Sequence, residues 1–143
     1  MRALLDVNVL IALLDAGHLH HATAMAWLKR EAGKGWASCP LTQNGCIRIM
    51  AQPAYPNAMP AAAVAQRLAE ACEHSAHEFW SNDFSLLDKG AVDWPLITGH
   101  RQVTDAYLLG LAARHGGRFV TFDARIDCRM VRGASPRHLV TLA

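Results

Sequence analysis

No apolar run in this chain reaches the roughly 18 residues that a membrane-spanning helix requires, which argues against a membrane protein. No two of the four cysteines (Cys39, Cys46, Cys72, Cys128) stand in a C-x-x-C spacing. That absence argues against a zinc site or a disulfide framework, and free thiols in apolar or helical surroundings are expected instead. No repeat, low-complexity stretch or linker interrupts the sequence, so residues 1–143 are expected to form a single domain. The opening Met1-Arg2-Ala3-Leu4-Leu5-Asp6 meets an acid too early for a secretory signal, and a cytoplasmic protein is expected. The tryptophans Trp27, Trp36, Trp80 and Trp94 show no stacking periodicity. Core or interface packing is therefore expected of them rather than a base-stacking platform.

Charged residues are also scarce, at 18% against 52% apolar. This slightly greasy balance suggests one further buried surface, such as a dimer interface or a partner groove. The net charge is only +2, but its placement is uneven. From Arg101 onward seven arginines face three aspartates, whereas the first hundred residues carry seven bases and nine acids. A basic C-terminal third beside an acidic site suits a held polyanion; scattered arginines on an ordinary solvated face are the plainer alternative.

What is present is an alternation of short apolar strands and helices. Strands are predicted at Ala3–Leu5, Trp36–Cys39, Glu78–Trp80, Phe119–Phe122 and His138–Leu142. Helices are predicted at Val9–Leu14, His18–Arg30, Pro40–Met50, Ala61–His74 and Gln102–His115, the last stopped by Gly116-Gly117. Gln52–Pro60 is a Pro-rich connection, and Ser81–Pro95 is a loop with room for one helical turn. Strand–helix alternation with short apolar strands implies a mainly parallel sheet of about five strands, covered on both faces: a three-layer α/β/α sandwich.

Three aspartates fall where such strands or helices meet the sheet's carboxyl edge: Asp6 after Ala3–Leu5, Asp105 in the first turn of Gln102–His115, and Asp123 after Phe119–Phe122. Open α/β sheets bind ligands at that edge. Each acid alone also reads as a helix cap or a dipole-favoured residue. Together they would repel one another unless a cation stood between them, and oxygen-only ligation of that kind suits Mg²⁺ or Mn²⁺. Asn8 is placed to hold Asp6 or to contact phosphate, Thr104 to lend its hydroxyl to the site or the helix cap, and Arg101 (with His100) either to meet phosphate or to stand as a surface residue at the helix start.

The segments Leu4-Leu5-Asp6-Val7-Asn8-Val9-Leu10, Cys39-Pro40-Leu41-Thr42-Gln43-Asn44-Gly45, His100 to Leu108 and Gly117 to Asp123 occur in order across nearly the whole chain. Together they resemble the PIN domain of VapC type, the toxin half of bacterial toxin–antitoxin pairs. The resemblance implies a Mg²⁺- or Mn²⁺-dependent endoribonuclease acting on structured RNA of the tRNA or rRNA class. It further implies a metal held by Asp6, Asp105 and Asp123, a homodimer, and a cognate antitoxin whose C-terminal segment wraps the acidic groove. At Gln43 the chain departs from the pattern, which normally has a glutamate there. Gln offers a carbonyl oxygen but neither a negative charge nor a proton-accepting carboxylate. Two readings follow: a toxin working with three acids and Gln43, or an attenuated PIN domain that binds antitoxin or RNA without cutting. Asp83 is a weaker candidate acid, better read as a loop cap. The His18, His20 and His21 cluster is better read as an exposed helix start than as a zinc site. A haloacid-dehalogenase-like phosphatase would want a second aspartate at position 8 and a late lysine; the chain has Asn8, and its last lysine is Lys89.

Overall fold

The computed structural model describes every residue, Met1–Ala143. Five strands, β1 (Ala3–Leu5), β2 (Trp36–Ser38), β3 (His77–Phe79), β4 (Arg118–Thr121) and β5 (Leu139–Thr141), form one sheet in the order β3-β2-β1-β4-β5. All four pairings are parallel, with Leu4 opposite Ala37 on one side and Phe119 on the other. Five helices flank it: α1 (Val7–Leu14), α2 (His21–Glu31), α3 (Pro40–Met50), α4 (Ala61–Cys72) and α5 (Arg101–Arg114). None of them is long and apolar enough to cross a membrane.

The layering follows from side-chain alternation along buried strands. Ala3 and Leu5 of β1 face a core completed by Val9 and Leu10 of α1, Trp27 of α2, Met50 of α3 and Leu68 of α4. Leu4, between them, faces the opposite core with Leu108, Leu109 and Leu111 of α5, Phe119 of β4 and Trp80. Every residue of β1 is fully buried, so the strand is apolar throughout rather than alternating, as a doubly covered parallel sheet requires. Burying each such leucine or phenylalanine contributes about 1.5–3 kcal/mol, so these two cores hold the sheet between its layers.

The order β3-β2-β1-β4-β5 places successive connections first to one side of β1 and then to the other. The chain reverses direction of travel between β1 and β4, and a crevice opens at their carboxyl ends. Element ends differ from the sequence reading in a few places. Helix α1 starts at Val7 rather than Val9, because Asp6 caps it: its Oδ1 accepts the Val7 N–H at 2.7 Å. Strand β3 is displaced one residue toward the N-terminus; the Trp80 N–H still donates to the Ser38 carbonyl at 2.9 Å, while its side chain packs into the α5 core. Residues 91–93 and 130–132 make a short antiparallel contact through Val92 and Val131, which the sequence reading did not foresee. All four cysteines are free thiols. Of the tryptophans, Trp27, Trp36 and Trp80 are core residues, whereas Trp94 is 47% exposed and so is not a core residue.

Candidate active site

Asp6 lies at the end of β1 and is almost wholly buried. Its Oδ1 receives the Val7 N–H, and its Oδ2 receives the Thr121 hydroxyl at 2.6 Å. Burial pushes its pKa up, the Thr121 and Val7 hydrogen bonds pull it down, and the charge of Asp123 pushes it up again. Thr121 closes β4, and its oxygen is a hub. While donating to Asp6 it accepts the Asp123 N–H at 3.0 Å and the Asn8 amide at 3.3 Å. Asn8 in turn accepts the Phe122 N–H at 3.3 Å. Asn8 therefore fastens α1 to the end of β4 and supports Asp6 through Thr121 rather than by direct contact.

Thr121 itself was not singled out in the sequence. The available signal was a hydroxyl ending a strand two residues ahead of a candidate acid.

Asp105 reaches the same crevice from α5, which runs from the carboxyl edge of the sheet back beneath it. It accepts no hydrogen bond from the chain. Burial raises its pKa to about 7, reinforced by Asp6 and then Asp123 and opposed by Arg125. Asp6 is the more deeply buried of the two but is stabilised as an anion by two donors; Asp105 has none, which explains the larger effect there.

Asp123 follows β4 and is held the other way. Arg125 closes on it with two parallel bonds, Nε to Oδ1 at 3.0 Å and Nη2 to Oδ2 at 3.1 Å, while its own N–H reaches Oδ1 at 2.9 Å. This guanidinium keeps the Asp123 carboxyl below the usual range.

A pocket of about 220 Å³ is lined by Asp105, Asp123, Arg125, Arg101 and His100, among others. Gln102 shapes its rim, its Oε1 accepting the N–H groups of Thr98 at 2.7 Å and Gly99 at 3.1 Å. Arg101 lines this pocket and forms no ion pair. Thr104 is exposed and hydrogen-bonds neither to the acids nor to the helix start, so neither role foreseen for it is realised.

Gln43, on α3, donates its amide to Ser38 Oγ at 3.0 Å, and Ser38 meets His77 Nε2 at 2.7 Å. Its one side-chain bond thus goes to β2 rather than to any of the three acids. Asp83 pairs with His115 at 3.6 Å and lies outside the site. His18 and His21 serve as local backbone partners and His20 stacks on Phe122, so the histidine cluster is structural.

The donor chemistry fits a hard divalent cation: three carboxylates, all oxygen, within electrostatic reach of one another. No three such groups stand closed about a common point, however, and Asp123 is engaged by Arg125. Arg125, bonded to both Asp123 oxygens, would compete with a cation for that carboxylate.

Comparison with known proteins bears on this arrangement. Residues 3–128 match the family described as PIN domain. The chain is 51% identical over 142 residues to "Ribonuclease VapC44" of Mycobacterium tuberculosis, covering 99% of this chain and 100% of the relative. It is 45% identical over 128 residues to "Ribonuclease VapC39" of the same organism (88% and 91% covered) and 44% identical over 142 residues to "Ribonuclease VapC38" (98% and 99%). Among solved structures, VapBC2 from Rickettsia felis, bound to a promoter DNA fragment, superposes with a TM-score of 0.67 at 12% identity over 100% of both chains. Mycobacterium tuberculosis VapC20, a sarcin-ricin-loop-cleaving toxin, superposes with a TM-score of 0.54 at 17% identity, covering 86% of this chain and 91% of that one. The two structural likenesses establish the fold.

Proposed function

Because this chain belongs to the PIN domain family, in its VapC ribonuclease branch, we propose that it is an endoribonuclease toxin whose acids Asp6, Asp105 and Asp123 hold Mg²⁺ or Mn²⁺. The observation that carries the reading is the electrostatic coupling of these three carboxylates near the carboxyl ends of β1 and β4, with Asp105 left without a hydrogen-bond donor. A bound divalent ion would lower the pKa of a water and offset charge developing on phosphoryl oxygens.

The chain's own residues divide the remaining work. Asp6, fixed by Val7 and Thr121, is the rigid ligand. Asp105 is the responsive one: with a pKa of about 7 it exchanges its proton near neutrality. Arg101 presents an unpaired guanidinium to substrate phosphate within the pocket. Arg125 sits where it can trade Asp123 for a phosphate oxygen. The proposed substrate is structured RNA of the tRNA or rRNA class.

The proposed regulator is a cognate antitoxin whose C-terminal segment covers the acidic pocket, and the proposed assembly is a cytoplasmic homodimer. An apolar cleft of about 320 Å³ lined by Met25, Leu28, Trp36 and Ala71 supports the presence of a further protein interface.

A second reading has one observation in its favour. Gln43 supplies no charge, and its side-chain bond is to Ser38 rather than to any acid. On that reading the chain is an attenuated PIN domain that binds antitoxin or RNA without cutting.

One assay separates the two: total RNA incubated with antitoxin-free protein in Mg²⁺, Mn²⁺ or EDTA, alongside Asp6→Asn. Discrete fragments that require both metal and Asp6 are expected. Intact RNA from the wild type, with cleavage recovered by Gln43→Glu, would establish the attenuated module. Cleavage that survives EDTA and Asp6→Asn would sink the metal-site reading altogether.

A further inference from the structure

Trp94 is the one tryptophan left out of the core, and it is held rigidly. It opens a short 3₁₀ turn, Trp94–Leu96, whose backbone is constrained by Pro95. Just before it, the Asp93 N–H donates to the Met130 carbonyl at 2.9 Å, and the Arg132 N–H donates to Ala91 at 3.1 Å. This two-stranded contact fastens Trp94 against the segment that carries Arg129 and Arg132. The three residues, with Asp93, line a cleft of about 490 Å³. Arg129 is gripped by Asp127 at 2.7 Å, but Arg132 forms no ion pair. Its guanidinium lies over Gly90, at a positive φ of 74°, where an added Cβ would stand 3.2 Å from Cζ. An exposed indole face beside an unpaired guanidinium is the chemistry that grips an unpaired nucleotide, the base by stacking and the phosphate by charge.

The cleft also lies next to the acidic pocket along the chain. Two segments build both: one runs from Asp93 through Thr98 and Gly99 to Asp105, the other from Asp123 through Ile126 to Arg132.

We propose that this cleft is a nucleotide subsite for the RNA substrate, in which an unpaired base stacks on Trp94 and its phosphate meets Arg132. Asp93, on the same wall, is a carboxylate acceptor for amino groups on the base edge. The inference rests on the ribonuclease reading, since it assigns the substrate of that same pocket.

The test uses the full-length protein and short single-stranded RNA. With the other three tryptophans buried, the solvent-exposed component of the fluorescence belongs to Trp94. RNA binding in EDTA should quench that component. Trp94→Ala and Arg132→Ala should each weaken RNA binding roughly ten-fold, and Trp94→Tyr should restore most of it. In metal, both alanine variants should raise KM for RNA while leaving kcat and hydrolysis of bis(p-nitrophenyl) phosphate unchanged, because that small diester does not extend to the cleft. No quenching, together with unchanged RNA affinity in both variants, overturns the subsite. So does an equal loss of small-diester hydrolysis, which would make Trp94 structural, or a change in oligomeric mass with RNA affinity intact, which would make the face a protein interface. Failure of the ribonuclease reading looks different: neither RNA nor the small diester is hydrolysed by the wild type, while quenching by RNA in EDTA still supports the subsite.

Discussion

Asp105 is the side chain whose ionisation the fold opposes most at the candidate site, and its chemistry can be read out without RNA. Its pKa stands near 7, raised by burial, then by Asp6, then by Asp123, against about 3.9 for an unfolded aspartate. Between those values the metal-free folded chain holds a proton that the unfolded chain has released, so this group makes stability fall as pH rises from about 4 to above 7. Asp105→Asn should therefore raise the melting temperature of metal-free protein at pH 8 and change it little at pH 4; parallel curves for variant and wild type would contradict the assignment. Metal binding should release the same proton, so calorimetric Mn²⁺ affinity should rise through pH 7 in the wild type and flatten in the variant. Arg125 makes a second expectation at this scale. Its two-pronged hold on Asp123 competes with any cation, so Arg125→Ala should tighten Mn²⁺ binding severalfold even if RNA turnover drops. Weaker Mn²⁺ binding in that variant would show that the guanidinium organises the site instead. The three acids were legible in the sequence because each closes or opens an apolar element. Thr121 and Arg125 were not, because a hydroxyl and an arginine near an acid are ordinary in sequence and become specific only through hydrogen-bond geometry.

At the scale of the element, the crevice depends on how closely α1 approaches α3. Gly45, in the middle of α3, faces Val7, and a Cβ there would lie 2.7 Å from Val7 Cγ2. Valine is stiff at χ1, so it cannot simply swing aside. Gly45→Ala gains about 1 kcal/mol of helix propensity. It costs about 1–3 kcal/mol in overpacking, and the first turn of α1, which carries Asp6 and Asn8, must shift. The expected outcome is a net loss near 1 kcal/mol in urea unfolding, about 2–4 °C in melting temperature, with a larger proportional loss of RNA cleavage. A more stable, fully active variant would show that Val7 adapts freely. The period of the apolar residues and the Gly and Pro stops were enough to place every strand and helix to within a few residues. The errors sit where tertiary contacts decide. Trp80 marks the end of β3 with its side chain in the α5 core, and Val92 finds Val131 across thirty-nine positions that no local signal connects.

For the molecule as a whole, the question is how a chain of net charge +2 holds a polyanion over three acids. The fold answers by sorting its C-terminal arginines. Arg101 and Arg125 line the acidic pocket and Arg129 and Arg132 the cleft beside Trp94, so four of the seven line these two hollows. Others are spent elsewhere: Arg118 pairs with Glu31 at 3.3 Å, and the Arg114 guanidinium lies 4.5 Å over the Phe84 ring. The sequence displayed the surplus of arginine, but only the parallel order β3-β2-β1-β4-β5 shows which of them gather beside the β1–β4 crevice. If both hollows hold RNA, the arginines in them that carry no ion pair should account for much of the salt sensitivity. Arg101→Ala and Arg132→Ala should each lower the slope of log Kd for RNA against log salt by about 1. Arg114→Ala should leave the slope unchanged, because that side chain covers an aromatic ring. Equal slopes for all three variants would mean that RNA follows a different surface, and the sorting of charge by the fold would then have no part in binding.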